Sequence, residues 1–399
     1  MKQIALLAVR DLFHSRVFLF CNTAIMVGVL VPLLLLFGVK NGIYSALIGE
    51  MLANPANLQI DTSGNATFSP EDVAQLSTWP EIAFFTPKVR GQFDYMNVRT
   101  KGGRRLKSAV VIPSGAGDPT LPLGLDLPEG QVAVSAQLAR QLQISAQAEI
   151  ELISQAEGRS KQLRLPMKVV TVLPEGAMSG RAVLLAFPTL DVIEAFYESY
   201  TLPTYGIEGA RKLEDRVPSY EGVRVFAHRL EDLAALQSRL ETTLGVRTLA
   251  RTQEVNALLG LGQKLNLALG LTATLAAMGL GAALVFGFWS DVARKRQTLA
   301  AIALLGVPGR TLALFPMVQA GLTATFGLSL SLLLFLGAGK IADRLFGHGL
   351  PDGAVLAQIS QGQAVSICFA VYGLVLTAAG AAAWSALRLD PATVLRETS

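Results

Sequence analysis

The sequence RKRQTLAAIALLGVP, residues 294–308, lies between two of the longest uncharged runs of the chain, residues 265–290 and 311–339. It opens with three basic residues and ends with the Gly and Pro that are typical of a helix end. Between them, three apolar residues recur at steps of three and so share one helix face: Leu299, Ile302 and Leu305. The stretch is therefore either a basic cytoplasmic loop or a short coupling helix that receives force from a cytosolic partner.

The apolar residues of the chain are concentrated in four blocks. Of all residues, 51% are hydrophobic and only 16% are charged, which is unusual for a soluble protein. The four longest uncharged runs are residues 17–39, 265–290, 311–339 and 353–387, and the apolar part of the last begins near Ala364. Because a bilayer core needs roughly 20 apolar residues in a helix, we predict an α-helical membrane protein with four transmembrane helices.

Basic residues in the short loops predict the orientation. They precede the first span, separate the second from the third and follow the fourth, which places both termini in the cytoplasm. The net charge of +4 reflects this bias and gives no reason to expect nucleic-acid binding. A cleaved signal peptide is the alternative for the first span, but its apolar run exceeds the 7–15 residues of such a segment.

The outer region has the alternation and turn signals of an α+β domain. In particular, residues 92–100 and 105–112 alternate as expected for two paired strands joined by residues 101–104. Both cysteines, Cys21 and Cys368, fall inside spans, so this domain has no disulfides to stabilise it. One uninterrupted helix is expected from Thr252 to Phe288. The predicted order is a cytoplasmic amphipathic interfacial helix (1–16), the first span (17–39), a large periplasmic α+β domain with stalk helices at both ends (40–260), the second span (261–290), a coupling helix (291–310), the third span (311–339), a short periplasmic loop (340–363), the fourth span (364–387) and a cytoplasmic tail (388–399).

The sequence has no pattern typical of catalysis. Its three histidines are scattered and offer no metal spacing. The run from Gly337 to Lys340 lacks the spacing of a phosphate-binding loop. The apolar cores of the spans carry no charged residue, which argues against an ion or proton pathway. We therefore predict a protein that is not an enzyme, with no catalytic residues and no metal site.

Three short motifs lie near the ends of the chain and after the second span. They are ALLAVRDL at residues 5–12, the basic stretch 294–306, and Asp390, Pro391, Leu395 and Arg396 near the C-terminus. Together with the order of one span, a large outer domain and three further spans, they resemble ABC transporter permeases of the MacB, LolC/LolE and FtsX type, the mechanotransmission or type VII family. The layout is closest to LolC/LolE. In that family the first motif resembles the amphipathic N-terminal helix, the second the R-x-R-E-I-G-x-L-x-x-L-G segment, and the third matches the D-P-x-x-x-L-R ending. Thr298 and Ala300 depart from the family's acidic residue and glycine.

The resemblance implies a permease subunit in the bacterial inner membrane, with membrane lipid around it. A cytosolic ABC ATPase dimer would bind ATP and Mg, leaving this chain without a cofactor. A second permease chain would complete the complex, as a homodimer or a related heterodimer. The residues expected to contact the ATPase are Arg294, Lys295, Arg296, Gln297, Thr298, Leu299, Ala300, Ile302, Leu305 and Gly306.

Three functions are compatible with this resemblance. The first is release or trafficking of lipoproteins. The second is a signalling or regulatory mechanotransmitter that moves a periplasmic partner without transport, as in the activation of type VI secretion by a LolCDE-like pair. The third is a MacB-like efflux component. Residues 199–222 are either an ordinary exposed loop or a loop that holds a periplasmic protein or lipoprotein, with these candidate contacts: Tyr200, Pro203, Tyr205, Pro218 and Tyr220.

Overall fold

The computed structural model describes residues 2–63, 67–90, 94–217, 219–295, 308, 313–346 and 355–387. The chain divides into two compact units. One is Gly49–Gly260, and the other combines Met1–Ile48 with Leu261–Ser399. The first is rich in β-structure. The second carries four helices that are long and apolar enough to cross a membrane.

The described helices are α1 Lys2–His14, α2 Arg16–Ala53, α3 Pro70–Ala74, α4 Ala136–Leu142, α5 Phe187–Tyr197, α6 Leu233–Leu244, α7 Thr252–Arg294, α8 Leu314–Phe346 and α9 Gln361–Leu387. The described strands are β1 Gln59–Ser63, β2 Ile82–Lys88, β3 Tyr95–Thr100, β4 Lys107–Ser114, β5 Gln131–Val134, β6 Glu149–Ser154, β7 Leu163–Val172, β8 Ala182–Ala186, β9 Gly222–Ala227 and β10 Arg247–Ala250. The uninterrupted helix expected from Thr252 is confirmed as α7, which extends to Arg294. Sequence reasoning did not assign β2, β8 or α5.

Glycines allow close contacts within the helical unit. A Cβ atom on Gly42 of α2 would lie 2.1 Å from the carbonyl oxygen of Leu356, in the segment before α9. A Cβ atom on Gly287 of α7 would lie 2.7 Å from Oδ1 of Asn22 on α2. Small residues at such points let helices approach closely in a membrane, where water does not drive apolar surfaces together.

The β-rich unit contains a four-stranded antiparallel sheet in the order β10-β1-β9-β2. Helix α3 lies between β1 and β2 in the chain, and α6 lies between β9 and β10. This is the β-α-β-β-α-β arrangement, in which each helix connects two parallel strands that flank a third. The usual hairpin between the second and third strands is replaced by residues 89–221.

That insertion forms a closed barrel in the order β3-β4-β8-β5-β7-β6. The hairpin predicted from residues 92–112 is confirmed as the antiparallel pair β3–β4. The β4–β8 and β5–β7 pairs are parallel, so the barrel is not a simple meander. Alternate strand residues fill its interior, as expected from the two-residue period of a strand; they include Val98, Val132, Leu152, Leu163, Val169 and Val183.

A buried ion pair joins the sheet to the barrel. Arg224 of β9 is 1% exposed and Asp118, in the loop after β4, is 3% exposed. Nη1 of Arg224 lies 2.6 Å from Oδ2 of Asp118 and also donates to the carbonyl oxygen of Pro113 at 3.1 Å. The same carboxylate accepts from the hydroxyl of Ser114 at 2.7 Å and from the amide of Thr120 at 2.8 Å. These contacts compensate Asp118 for lost water, so the pair fixes β9 against the barrel.

A second carboxyl of this unit lies among like charges. Burial raises the pKa of Asp94, just before β3, to about 7, and the carboxylates of Glu221, Asp61 and Glu194 add to the shift while Lys88 opposes it. The unfolded chain has the ordinary value of 3.8. The folded state therefore binds the proton more tightly, and stability falls as the pH rises from about 4 to about 7.

We expect the substitution Arg224→Met to destabilise the β-rich unit by about 3–5 kcal/mol, because it leaves a buried carboxylate without its cation. Adding Asp118→Asn should recover much of this loss, because it removes the charge and keeps an amide oxygen for the Ser114 and Thr120 donors. Pulse proteolysis of the full chain in urea, with the cleavage sites mapped to residues 49–260, would measure both. As a control, Arg140→Ala breaks an exposed pair (66% and 72% exposed side chains) and should change stability by less than about 1 kcal/mol. Equal losses for Arg224→Met and Arg140→Ala would contradict a role for burial.

The substitution Asp94→Asn should abolish the pH dependence that this carboxyl causes. At pH 8 the variant should be more stable than the natural chain by roughly 1–2 kcal/mol, allowing for partial solvent screening. Near pH 3 the two should be close, since the natural carboxyl is then protonated in both the folded and the unfolded chain. The same proteolysis assay at pH 3, 5.5 and 8 would measure the difference. A constant difference at all three values would show that ionisation of Asp94 is not the cause.

Candidate functional site: a polar cluster among three helices

Of the predicted coupling segment 291–310, the structure describes residues 291–295 and 308. Arg294 is the last residue of α7, and Lys295 follows it in a turn. The other predicted coupling residues lie outside the described residues: Arg296, Gln297, Thr298, Leu299, Ala300, Ile302, Leu305 and Gly306. The C-terminal motif also lies outside them: Asp390, Pro391, Leu395 and Arg396. Of the ten predicted coupling residues, the structure therefore describes Arg294 and Lys295.

Lys295 lies between two carboxylates. Its Nζ atom is 2.5 Å from Oδ2 of Asp11 on α1 and 2.9 Å from Oδ2 of Asp291 on α7. Gln319 of α8 donates from Nε2 to the same oxygen of Asp11, at 2.9 Å, and to the carbonyl oxygen of Ala8, at 3.3 Å. We call Asp11, Asp291, Lys295 and Gln319 the interhelical polar cluster. It joins the end of α7 to α1 and α8.

Two members of the cluster are buried and two are partly exposed. Asp291 is 5% exposed and Gln319 is 2% exposed, and the side chains of Lys295 and Asp11 are 17% and 30% exposed. The Nζ atom of Lys295 also lies 5.7 Å from the ring centroids of both Phe18 and Phe315, a distance suited to cation–π attraction. Burial of charges is costly unless each has its partner. The end of α7 is therefore held in one arrangement against α1 and α8.

Arg294 behaves differently from its neighbour. Its side chain is 64% exposed, and the ion pair that it makes with the described part of the chain is long, 3.5 Å to Oδ1 of Asp291. Lys295 thus points into the bundle while Arg294 points out of it. Of these two, Arg294 is the exposed side chain among the described residues, and Lys295 fixes the end of α7. Sequence reasoning assigned both to partner contact and missed Asp11, Asp291 and Gln319, although Asp291 stands four residues before Lys295, a spacing typical of helical ion pairs.

The predicted partner segment 199–222 is partly buried. Tyr200 is 8% exposed and belongs to the core of the barrel, so it does not offer a surface to a partner. Pro203 and Tyr205 lie in an exposed 3₁₀ turn, with Tyr205 39% exposed. Tyr220 is half-buried, with its ring 5.3 Å from that of Phe187. Pro218 lies outside the described residues.

Arg159 fixes the start of this segment. Its guanidinium donates to the carbonyl oxygens of Phe196 at 2.5 Å, Tyr200 at 2.8 Å and Glu208 at 2.8 Å. Phe196 is near the end of α5, where carbonyl groups lack partners within the helix and a cation is favourable. The side chain lies 4.9 Å from the Phe196 ring. Burial lowers the pKa of Arg159.

Arg216 fixes the far side of the same segment against α5. Its guanidinium pairs with Asp191 at 2.7 Å, Glu194 at 2.8 Å and Glu198 at 3.4 Å. Burial raises the pKa of Glu194, and Arg216 and Arg90 oppose that shift. The segment therefore has an exposed turn at Pro203–Tyr205, and the side chains of Arg159 and Arg216 connect it to α5.

We expect Lys295→Met to destabilise the helical unit, because it leaves two carboxylates without their shared cation. The melting temperature of the full chain in detergent should fall by roughly 5–10 °C. Arg294→Met, the matched control, removes the adjacent exposed charge and should change it little. The melting temperatures of the two variants and the natural chain would be compared by heating each protein and following aggregation by light scattering or loss of the monodisperse peak by size-exclusion chromatography. Similar shifts for the two variants would contradict the inward position of Lys295.

The described residues offer the site no metal chemistry. No group of three or more His, Cys, Asp or Glu side chains in this part of the chain could hold a metal ion. The interhelical polar cluster instead has the composition of a structural clamp, with one cation shared by two anions. The chain matches no protein-family model and no curated protein.

Proposed function

We propose that this chain is the permease subunit of an ABC-type complex of the lipoprotein-release or trafficking class. A separate ATPase dimer would bind ATP and Mg on the cytoplasmic side of a bacterial inner membrane. Hydrolysis would move the outer region of this chain, which itself performs no catalysis. The observation that carries the proposal is the continuity of α7 from Thr252, two residues after β10, to Arg294 beside the interhelical polar cluster.

A continuous helix is well suited to transmit movement along its axis. Helix α7 has 43 residues and is therefore about 65 Å long, with no proline to bend it. Its mostly apolar surface supports placement in lipid, since Leu267, Leu271 and Leu275 are each more than 60% exposed. A push near Arg294 would act on a helix whose first residue, Thr252, follows the sheet strand β10 by two residues.

The interhelical polar cluster gives that push a defined effect. Lys295 pairs with Asp11, so a displacement of the end of α7 would draw α1 with it, and Gln319 would couple the same movement to α8. Arg294 would take the role of an exposed contact with the ATPase. A second copy or a related permease chain would supply the opposite half of the complex.

We expect an ABC ATPase to co-purify with the full chain from membranes in mild detergent with a non-hydrolysable ATP analogue. The chain would be expressed from its own gene region, so that any ABC ATPase encoded beside it is present. Arg294→Glu should lower recovery of the ATPase about tenfold, because it reverses the charge at the exposed end of α7. Quantitative mass spectrometry of the purified complex would measure the ratio.

Arg344→Glu, a charge reversal at the opposite end of α8, serves as the matched control and should leave recovery unchanged. Absence of an ABC ATPase from every preparation would refute the proposal. So would labelling of a cysteine at position 294 by a membrane-impermeant reagent applied from the periplasm, with Cys21 and Cys368 replaced by serine. Trapping a lipoprotein in the complex would favour release over signalling.

A further inference from the structure

A groove of about 940 Å³ opens in the helical unit between α2 and α8, beside the end of α1. Its walls are single helix faces, since the residues of each recur at steps of three or four. They include Val17, Phe20 and Thr23 on α2 and Phe326, Leu330 and Leu333 on α8. Val17 and Phe20 are each 76% exposed and Leu333 is 66% exposed. A contiguous exposed apolar surface of this kind is typical of a site that binds a ligand, a lipid or another protein.

One end of the groove is cationic. Arg16, the first residue of α2, lines it and is exposed. Among the described residues no carboxylate pairs with Arg16. The amino-terminal end of a helix adds partial positive charge at the same place. From Arg16 to Thr23 the wall extends about 10 Å and turns from charged to apolar.

We propose that this groove binds an anionic phospholipid, with its phosphate on Arg16 and an acyl chain along the apolar walls. The groove presents charge first and apolar surface next, which is the order of head group and chain in such a lipid. Arg16 also stands where the uncharged run 17–39 begins, so its guanidinium would lie at the depth of the head groups. The inference requires that the helices cross a bilayer, but neither an ATPase nor a cargo.

A phospholipid fits this groove better than a second copy of the chain. A protein surface would need a carboxylate to neutralise Arg16 and a ridge to fill a recess bounded by the Phe13 and Phe326 rings, whose centroids are 6.0 Å apart. A lipid supplies the anion and a flexible chain in one molecule. Membrane lipid is also present wherever these helices are inserted.

Native mass spectrometry of the full chain in detergent would test the proposal, with phosphatidylglycerol and phosphatidylethanolamine of identical acyl chains as probes. We expect one molecule of phosphatidylglycerol to bind about tenfold more tightly than phosphatidylethanolamine. Arg16→Gln should reduce this preference to within about twofold, because the anion loses its cation. Arg344→Gln, which removes an exposed arginine at the other end of α8, should preserve it.

Ser329→Trp would fill the groove from α8, and we expect it to prevent binding of both lipids. A phosphatidylglycerol with a photoreactive acyl chain should cross-link to residues 17–23 and 326–333 of the natural chain, which tests the site without any substitution. Retention of the lipid preference in Arg16→Gln, or adducts confined to other helices, would overturn the proposal. Unchanged lipid binding in Ser329→Trp, with loss of a dimer, would assign the groove to a second copy.

Discussion

The ammonium group of Lys295, shared between the carboxylates of Asp11 and Asp291, determines how one end of the helical unit is assembled. In a bilayer, apolar helix surfaces gain little by leaving lipid for one another, so polar contacts and close packing must specify the arrangement. Gln319 extends the contact to α8. Once α7 is fixed there, Arg294 faces outward. The two neighbouring basic residues therefore lie in different environments, one exposed and one paired within the bundle.

The β-rich unit uses buried arginines for a comparable purpose. Arg224 joins the sheet to the barrel through Asp118, Arg159 holds carbonyl groups at the end of α5, and Arg216 binds the carboxylates along α5. A planar guanidinium with five donors can satisfy several acceptors at once, which a lysine cannot do in fixed geometry. Each arginine therefore connects segments that are distant in sequence. Arg159 and Arg216 hold the chain on either side of the exposed turn at Pro203–Tyr205.

The groove beside Arg16 is the place where we propose that the helical unit binds a membrane lipid. The interhelical polar cluster neutralises its own charges, whereas Arg16 has no such partner among the described residues. Charges that pair within the protein stabilise the bundle, and a charge left beside apolar walls is suited to a ligand with both characters. An anionic lipid held there would contact α2 and α8 together. The proposed mechanism requires α8 to move, so a lipid bound there could influence that movement.

The sequence by itself determined the elements that depend on local pattern. Uncharged runs predicted four long apolar helices, the absence of a breaker predicted α7, and alternation predicted the β3–β4 hairpin. These signals are local because hydrophobic burial repeats with the period of each element. The coupling residues beyond Lys295 and the C-terminal motif remain predictions.

Only the tertiary structure decided which residues meet. Asp11 and Lys295 are separated by 284 positions, and Arg224 and Asp118 by 106, so no period in the sequence connects them. The same holds for Gly42 and Gly287, two of many glycines in the chain, which are distinguished only by the atoms of Leu356 and Asn22 that lie against them. The sequence around Tyr200 is typical of an exposed loop, but the structure places its side chain in the core of the barrel. Long-range contacts depend on how elements pack, and packing is a property of the whole fold rather than of any one segment.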